Sequence, residues 1–428
     1  MRVRTPDTTL VTALSALLIA GLWIQLFASI APTKNVALSD FAGYYRAAAL
    51  ILNGAPEHLY RSEGKDFTNL PVVSLLVAPL ALLEYRHAWL VFWWLQVSSF
   101  VAAFALLLWG VRRFLPPLTP ARAALASAIF VCFAPLLRRS LIQGQTTPMM
   151  MLLLAVVWLL CRARWNRTAG LLLGLICAIK IPPMLLVGLF FLRRRLALAL
   201  GALLVVAAAV ALSWLLFGSE ILGQYADWVI WRNLGGSHAA FNNRSLEGIF
   251  LRLLTERSLV DWNPIPRPWT VTLCLVGSFA GLAWLLLRRG AWILLWPREA
   301  PRDDDPRTGS LELELVLGAA LMLLIFPVAW IHYYLLLAVP LALLPFWWSR
   351  AGLSWRSWSV VLLAAGTWLA SGTEVPGNLE VGARSGEALF RLLQNAQPLG
   401  ALLLVLGLSA PLAELARRQR AHAGASRG

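Results

Sequence analysis

A carboxylate, an ammonium, a histidine and two amide-rich turns are the groups in this chain that could carry chemistry. Asp40 lies just beyond the first hydrophobic stretch, in the run SDFAGYYRAAALILNGAPEHLY. A carboxylate at the lip of an apolar body suits a general base, which must hold a proton-accepting oxygen within reach of an attacking hydroxyl. The competing role is structural, because aspartate is also a favoured helix N-cap. Tyr44 follows one helical turn later and joins Asp40 as a candidate substrate contact. Lys180 stands inside an apolar run and is followed by Pro182 and Pro183, which break a helix. An ammonium in that setting is costly unless it meets an anion or water, so a phosphate is its natural partner and snorkelling its alternative.

His332 sits in WIHYY, at the junction of two apolar stretches, where it can donate to a phosphate or a sugar or simply sit at the membrane interface. Arg138, next to Arg139, is a further candidate for holding a phosphate. Gln143 and Gln145 flank Gly144 in a tight polar turn ahead of Thr146, Thr147 and Pro148. Amides suit sugar hydroxyls, although turns favour polar residues for their own reasons. Asn242, Asn243 and Ser245 form a second polar cluster with the composition of an acceptor site. The acidic run Asp303, Asp304 and Asp305 lies in a Pro/Arg-rich linker with nothing to fix metal geometry, so a solvated segment is expected and no metal site. No Walker sequence, Rossmann glycine fingerprint or His-Glu-x-x-His motif occurs.

These residues must be positioned by membrane helices. Of 428 residues, 59% are hydrophobic and 14% charged, with a mean hydropathy of +0.69. A soluble chain would carry roughly a quarter charged residues. Apolar runs of about 20 residues recur from end to end, the length that crosses a bilayer as helix. The expected fold is therefore all-α and polytopic, a single integral-membrane domain over 1–428. The net charge of +16 does not point to nucleic acid. The basic residues cluster at span ends (Arg112 and Arg113; Arg162, Arg164 and Arg167; Arg193, Arg194 and Arg195; Arg288 and Arg289; Arg417, Arg418 and Arg420), as the positive-inside rule describes. Cys132, Cys161, Cys177 and Cys274 lie in or beside apolar spans without zinc-type spacing and read as packing residues. Most of the 21 tryptophans read as interfacial belt.

Spans are expected near 8–30, 88–110, 121–137, 147–161, 168–180, 182–192, 196–217, 268–287, 311–331, 333–349, 357–371 and 397–416, about twelve crossings with both termini cytoplasmic. The first reads as a retained helix with Arg2 and Arg4 inside. Loop 31–86 is then outside and carries a surface helix over 40–53, with Asp40 at its N-cap and Gly54 and Pro56 closing it. The stretch 70–83, interrupted by Pro71 and Pro79, is too short to cross. Loop 218–267 falls outside and loop 288–310 inside. The pair 168–192 reads as a hairpin of short helices around Lys180, because one broken helix would put Arg167 and Arg193 on opposite faces. This topology gathers every candidate polar residue on the extracytoplasmic side.

The ordered pieces Asp40-Phe41, Tyr44, Ala47-Ala48, Leu52-Asn53-Gly54, Leu59-Tyr60, Pro71, Pro79-Leu80, Gly144-Gln145, Gly170, Gly174, Ala178-Ile179-Lys180, Pro183, Asn243-Arg244-Ser245-Leu246 and Trp330, His332-Tyr333 resemble glycosyltransferase family 87, membrane mannosyltransferases of the GT-C class. The resemblance implies a GT-C-type fold in the plasma (inner) membrane. It implies an inverting, metal-independent transfer of a sugar, most often mannose, from a polyprenyl-phosphate donor to a lipid-linked or glycan acceptor, with no further cofactor. Asp40 then corresponds to the general base, Lys180, His332 and Arg138 to donor-phosphate contacts, and Gln143 and Gln145 to the cavity border. The chain departs from the family at Asn69-Leu70-Pro71, where an aromatic–proline pair is usual, which bears on the acceptor contacts there. The rival reading is a non-enzymatic transporter or flippase of the cell envelope. That class places ionisable residues near the midplane of several spans, whereas here they gather at one face.

Overall fold

The computed structural model describes residues 8–29, 39–60, 67–115, 117–231, 236–255, 264–288, 310–354, 357–372 and 395–425. The chain runs through α1 (Thr8–Ser29), α2 (Ser39–Leu52), a short 3-10 turn at Pro71–Val73, α3 (Ser74–Ala81) and the long α4 (Tyr85–Phe114). It continues through α5 (Pro120–Cys132), α6 (Ala134–Gln143), α7 (Thr147–Arg162), α8 (Asn166–Ile179), α9 (Met184–Leu192) and α10 (Leu196–Tyr225). Then follow α11 (Leu246–Leu254), α12 (Trp269–Arg288), α13 (Leu311–Ile325), a 3-10 segment at Ile331–Leu337 that runs into α14 (Ala338–Arg350), α15 (Trp358–Ala370) and α16 (Ala396–Ala425). A two-residue antiparallel pairing of Gly236–Ser237 with Ile265–Pro266 is the one sheet among the described residues.

The architecture is thus all-α and polytopic. Each of the twelve stretches expected to span carries helix, and six described helices are long and apolar enough to cross a bilayer by length and composition. The surface helix expected at 40–53 is α2. The stretch 70–83 yields only the 3-10 turn and the eight-residue α3, far below the length a crossing needs. Loop 288–310 and the Asp303–Asp305 run fall almost wholly outside the described residues. The inner helices are α13 and α14, whose side chains are buried almost throughout, whereas α10 and α12 present long apolar faces outward, as lipid-facing helices do.

Helix α8 seats directly on α10. A Cβ on Gly170 would lie 2.4 Å from the Leu198 carbonyl oxygen, and one on Gly174 would lie 2.5 Å from that of Ala202. Only glycine permits this backbone contact, the close approach that small residues allow between membrane helices. The contact fixes the C-terminal end of α8, and with it Lys180.

Two buried acids organise the opposite end. Glu312 and Glu314 occupy the first turn of α13, where the helix dipole favours negative charge. Glu312 accepts from Trp158 Nε1 at 2.7 Å and from Arg162 Nε at 2.8 Å. Glu314 accepts from Arg193 Nε at 2.8 Å, Arg195 Nε at 2.6 Å and Ser310 Oγ at 2.5 Å. Arg162 ends α7, and Arg193 and Arg195 form the turn between α9 and α10. Because both meet the same helix end, α8 runs away from it and α9 returns, which makes the pair a hairpin with Lys180 at its far tip. These arginines, read from sequence only as orienting charges, are therefore also interior ion-pair partners.

Glu314→Ala leaves two buried guanidinium groups without their carboxylate and is expected to lower stability by about 3–5 kcal/mol. The readout is the thermal unfolding midpoint of the detergent-solubilised protein, and a midpoint equal to wild type contradicts the role given to this acid.

Candidate active site

Helix α2 forms because Phe41, Tyr44 and Ala48 recur at the spacing of one helical face, and that face is buried. Phe41 packs on Phe92 of α4 with ring centroids 4.7 Å apart, and Tyr44 meets Phe67 edge-on at 6.3 Å. The helix stops where Gly54 takes φ +69°, with Ala55 N donating to Leu50 O at 2.9 Å. Asp40 lies within the first turn, as its second residue and not as the N-cap expected from sequence, because the helix begins at Ser39. The carboxylate is partly exposed at an N-terminus whose dipole favours its charge.

The Gln143-Gly144-Gln145 turn is pressed against this end of α2. Gly144 closes α6 in the left-handed conformation, φ +68°, and an added Cβ would lie 2.5 Å from Phe41 Cβ. Both the dihedral and the space require glycine. The approach brings Gln145, itself buried, to Asp40, and its Nε2 donates to Asp40 Oδ2. Gln145 thus fixes the orientation of the carboxylate.

Lys180 reaches the same place from the α8–α9 hairpin. The helix ends at Ile179, Lys180 is extended (φ −144°, ψ 130°), and Pro182 and Pro183 form the turn before α9. The side chain is buried, with Nζ 5.7 Å from the centroid of the Tyr44 ring. Asp40, Tyr44 and Tyr333 all act electrostatically on this ammonium. Burial rules out snorkelling.

A third wall comes from the 238–245 segment and its latch onto 327–334. Asn243 Nδ2 donates to His238 O at 2.9 Å and Pro327 O at 3.2 Å, while its Oδ1 accepts from Ala329 N at 3.1 Å. Ser245 caps α11 by accepting from Gly248 N at 3.0 Å and donates to Pro327 O at 2.8 Å. Ile331 N donates to Asn242 O at 3.0 Å, and Tyr334 donates its hydroxyl proton to Arg244 O at 2.7 Å. The latch holds His332, which is buried with neither ring nitrogen hydrogen-bonded among the described residues and lies within electrostatic reach of Lys180 and Arg139. Behind it, burial pushes the Arg252 guanidinium down to about 9, and burial together with Arg252 pushes Arg244 well below its ordinary value.

The structure therefore brings together Asp40, Tyr44, Gln145, Lys180 and His332. Gln143 and Asn242 lie beside them, each with a buried side-chain oxygen that has no hydrogen-bond partner among the described residues. Asn243 and Ser245 have their polar atoms committed to the main chain, so they shape the wall. Arg138 is exposed, and it is its neighbour Arg139 that acts on His332 and lies over Phe241 at 6.0 Å. Arg139 and Tyr333 are noted in the sequence without a role in the site, and Tyr225 is not singled out. The helical phase of α6 separates Arg139 from Arg138, but nothing local marks the two tyrosines. Among the described residues no group of three or more His, Cys, Asp or Glu stands ready for a metal ion.

The sequence matches the model of glycosyltransferase family 87 over residues 67–300, more than half of the chain. The chain belongs to glycosyltransferase family 87. The matched segment holds the Gln143–Gln145 turn, Lys180 and the 242–245 latch, while Asp40 and His332 lie outside it. The chain is similar to the polyprenol-phosphate-mannose-dependent alpha-(1-2)-phosphatidylinositol pentamannoside mannosyltransferase of Mycobacterium tuberculosis (strain CDC 1551 / Oshkosh), with 30% identity over 263 residues, 58% of this chain and 52% of that protein. It spans about half the length of that curated relative. The crystal structure of ArnT from Cupriavidus metallidurans bound to undecaprenyl phosphate aligns over 97% of this chain and 79% of that one, with a TM-score of 0.41 and 15% identity.

For this family 87 chain, Gly144→Ala is expected to strain the turn by about 1–2 kcal/mol from the backbone alone and to push Gln145 away from Asp40. The expected outcome is a folded protein with a lower unfolding midpoint and reduced turnover. Wild-type values for both contradict the role given to the turn.

Proposed function

We propose that the protein is a membrane glycosyltransferase that moves a sugar, mannose in the first instance, from a polyprenyl-phosphate donor to a hydroxyl of a lipid-linked or glycan acceptor. The reading places the reaction on the extracytoplasmic side of the plasma membrane. Its single strongest support is the convergence of an oriented carboxylate and a buried ammonium: Gln145 holds Asp40, and Asp40 and Lys180 act on each other.

In the proposed step, Asp40 takes the proton of the acceptor hydroxyl as that oxygen attacks the anomeric carbon. The new C–O bond forms on the face opposite the breaking bond to phosphate, so configuration inverts. The bonding pair leaves on the phosphate oxygen, which gains a negative charge and is released as polyprenyl phosphate. Such a leaving group needs fixed positive charge and no general acid. Lys180 supplies that charge without reorganisation, because Tyr44, Tyr333 and the proline turn already hold it. His332 borders the phosphate on its other side. Membership of family 87, and the printed dependence of the mycobacterial relative on polyprenol-phosphate-mannose, support the choice of donor.

Asp40→Asn is expected to reduce transfer from polyprenyl-phosphate mannose by about 10²–10⁴-fold while donor binding and the unfolding midpoint stay at wild-type values. Lys180→Met is expected to lower kcat by about 10²–10³-fold and to weaken donor binding as well. Assays with purified protein and radiolabelled donor read both variants. Wild-type turnover in Asp40→Asn would overturn the proposed role of this carboxylate.

A further inference from the structure

One buried polar side chain near the candidate site has no function in the reaction described so far. Asn69 is 2% exposed, and neither its Oδ1 nor its Nδ2 has a hydrogen-bond partner among the described residues. A carboxamide can accept and donate as many as about four hydrogen bonds, and burying one with none made is destabilising. An apolar residue of similar size would suit an interior position of this kind better. The segment around it is held on both sides. Tyr60 donates its hydroxyl proton to Asn69 O at 2.5 Å, and Val72 N donates to Ser213 Oγ of α10 at 3.2 Å. Rotation of the backbone therefore does not give the amide an escape to water.

The surroundings are aromatic. The Tyr60 ring lies 6.0 Å from Phe67 and 6.0 Å from Tyr225, and Phe67 in turn meets Tyr44. Tyr44 and Tyr225 both act electrostatically with Lys180. Asn69 thus stands beside an aromatic cluster that leads to the ammonium, joined to it through the Tyr60 hydroxyl on its main-chain oxygen. Rings flanking a pyranose with one amide hydrogen-bonded to its hydroxyls is the chemistry such a wall offers.

We infer that Asn69 is a specificity-determining residue that reads a hydroxyl of the transferred sugar, its amide hydrogen-bonding there while Tyr60, Phe67 and Tyr225 line the ring. The inference rests on the glycosyl-transfer reading and deepens it. Asn69 makes no contact with the reacting bond and moves no proton. It selects which sugar is held with its anomeric carbon between Asp40 and Lys180.

The test uses the purified full-length protein with polyprenyl-phosphate mannose and the four donors that each lack the 2-, 3-, 4- or 6-hydroxyl. Wild type is expected to disfavour one of the deoxy donors by about 10- to 100-fold in kcat/KM, the effect of leaving one buried polar group unpaired. In Asn69→Leu the parent donor should fall to the level of that analogue, so the preference disappears while the unfolding midpoint stays equal or rises. Asn69→Ser, which is smaller and still polar, gives the same comparison should the leucine variant not fold. A preference that survives in both variants for every analogue, as expected if a water molecule serves the amide, overturns the inference and leaves the transfer reading intact. A wild-type protein that turns over no parent donor overturns both.

Discussion

A buried ammonium must be matched by negative charge, and the arrangement around Lys180 follows from that requirement. The Nζ atom is carried into the protein by the end of α8, held by the α8–α10 glycine contact and turned by Pro182 and Pro183. The carboxylate that meets it is Asp40 of α2, and the phenols of Tyr44 and of Tyr333 in the 3-10 segment before α14 stand beside it. One carboxylate, which is itself hydrogen-bonded to Gln145 and partly exposed, faces a site that also holds Arg139. Under the proposed reaction a lipid phosphate would balance the positive charge of Lys180 and Arg139.

The two ends of the molecule treat charge in opposite ways. Around Glu312 and Glu314 each arginine has its carboxylate, with Arg193 Nη1 the donor left over among the described residues, and the result is a joint between α7, the α9–α10 turn and α13. Near Lys180, the His332 ring nitrogens and the side-chain oxygens of Gln143 and Asn242 have no hydrogen-bond partner among the described residues. Ion-paired arginines at one end and several unpartnered polar groups at the other distinguish a structural joint from the place where the proposed reaction would put its ligand.

Much of this was legible in the sequence. The apolar runs announced the helices, the prolines after Lys180 announced the break, and Gly144 between two glutamines announced the turn that reaches Asp40. The hairpin of α8 and α9 followed from the side on which the arginines fall. What escaped was set by tertiary partners. Glu312 and Glu314 sit in an apolar run and gain their meaning only from arginines more than a hundred residues away. Arg138 and Arg139 are adjacent, and only the phase of α6 decides which faces the site. Asn243 and Ser245 looked like ligand contacts, but the 327–334 segment uses their polar atoms to close the wall. Asn69 stood out as a departure from the family pattern, yet its lack of partners is visible only in three dimensions.

The proposed transfer requires Asp40 and Lys180 to share one water-accessible chamber on one side of the membrane. In a background with the four native cysteines replaced, single cysteines at Asp40 and Ile181 can be tested with a membrane-impermeant maleimide on sealed vesicles of known orientation. Reaction of both thiols from the extracytoplasmic face, with donor lipid slowing both, is the predicted result. Reaction of the two from opposite faces contradicts the shared chamber and the transfer chemistry built on it.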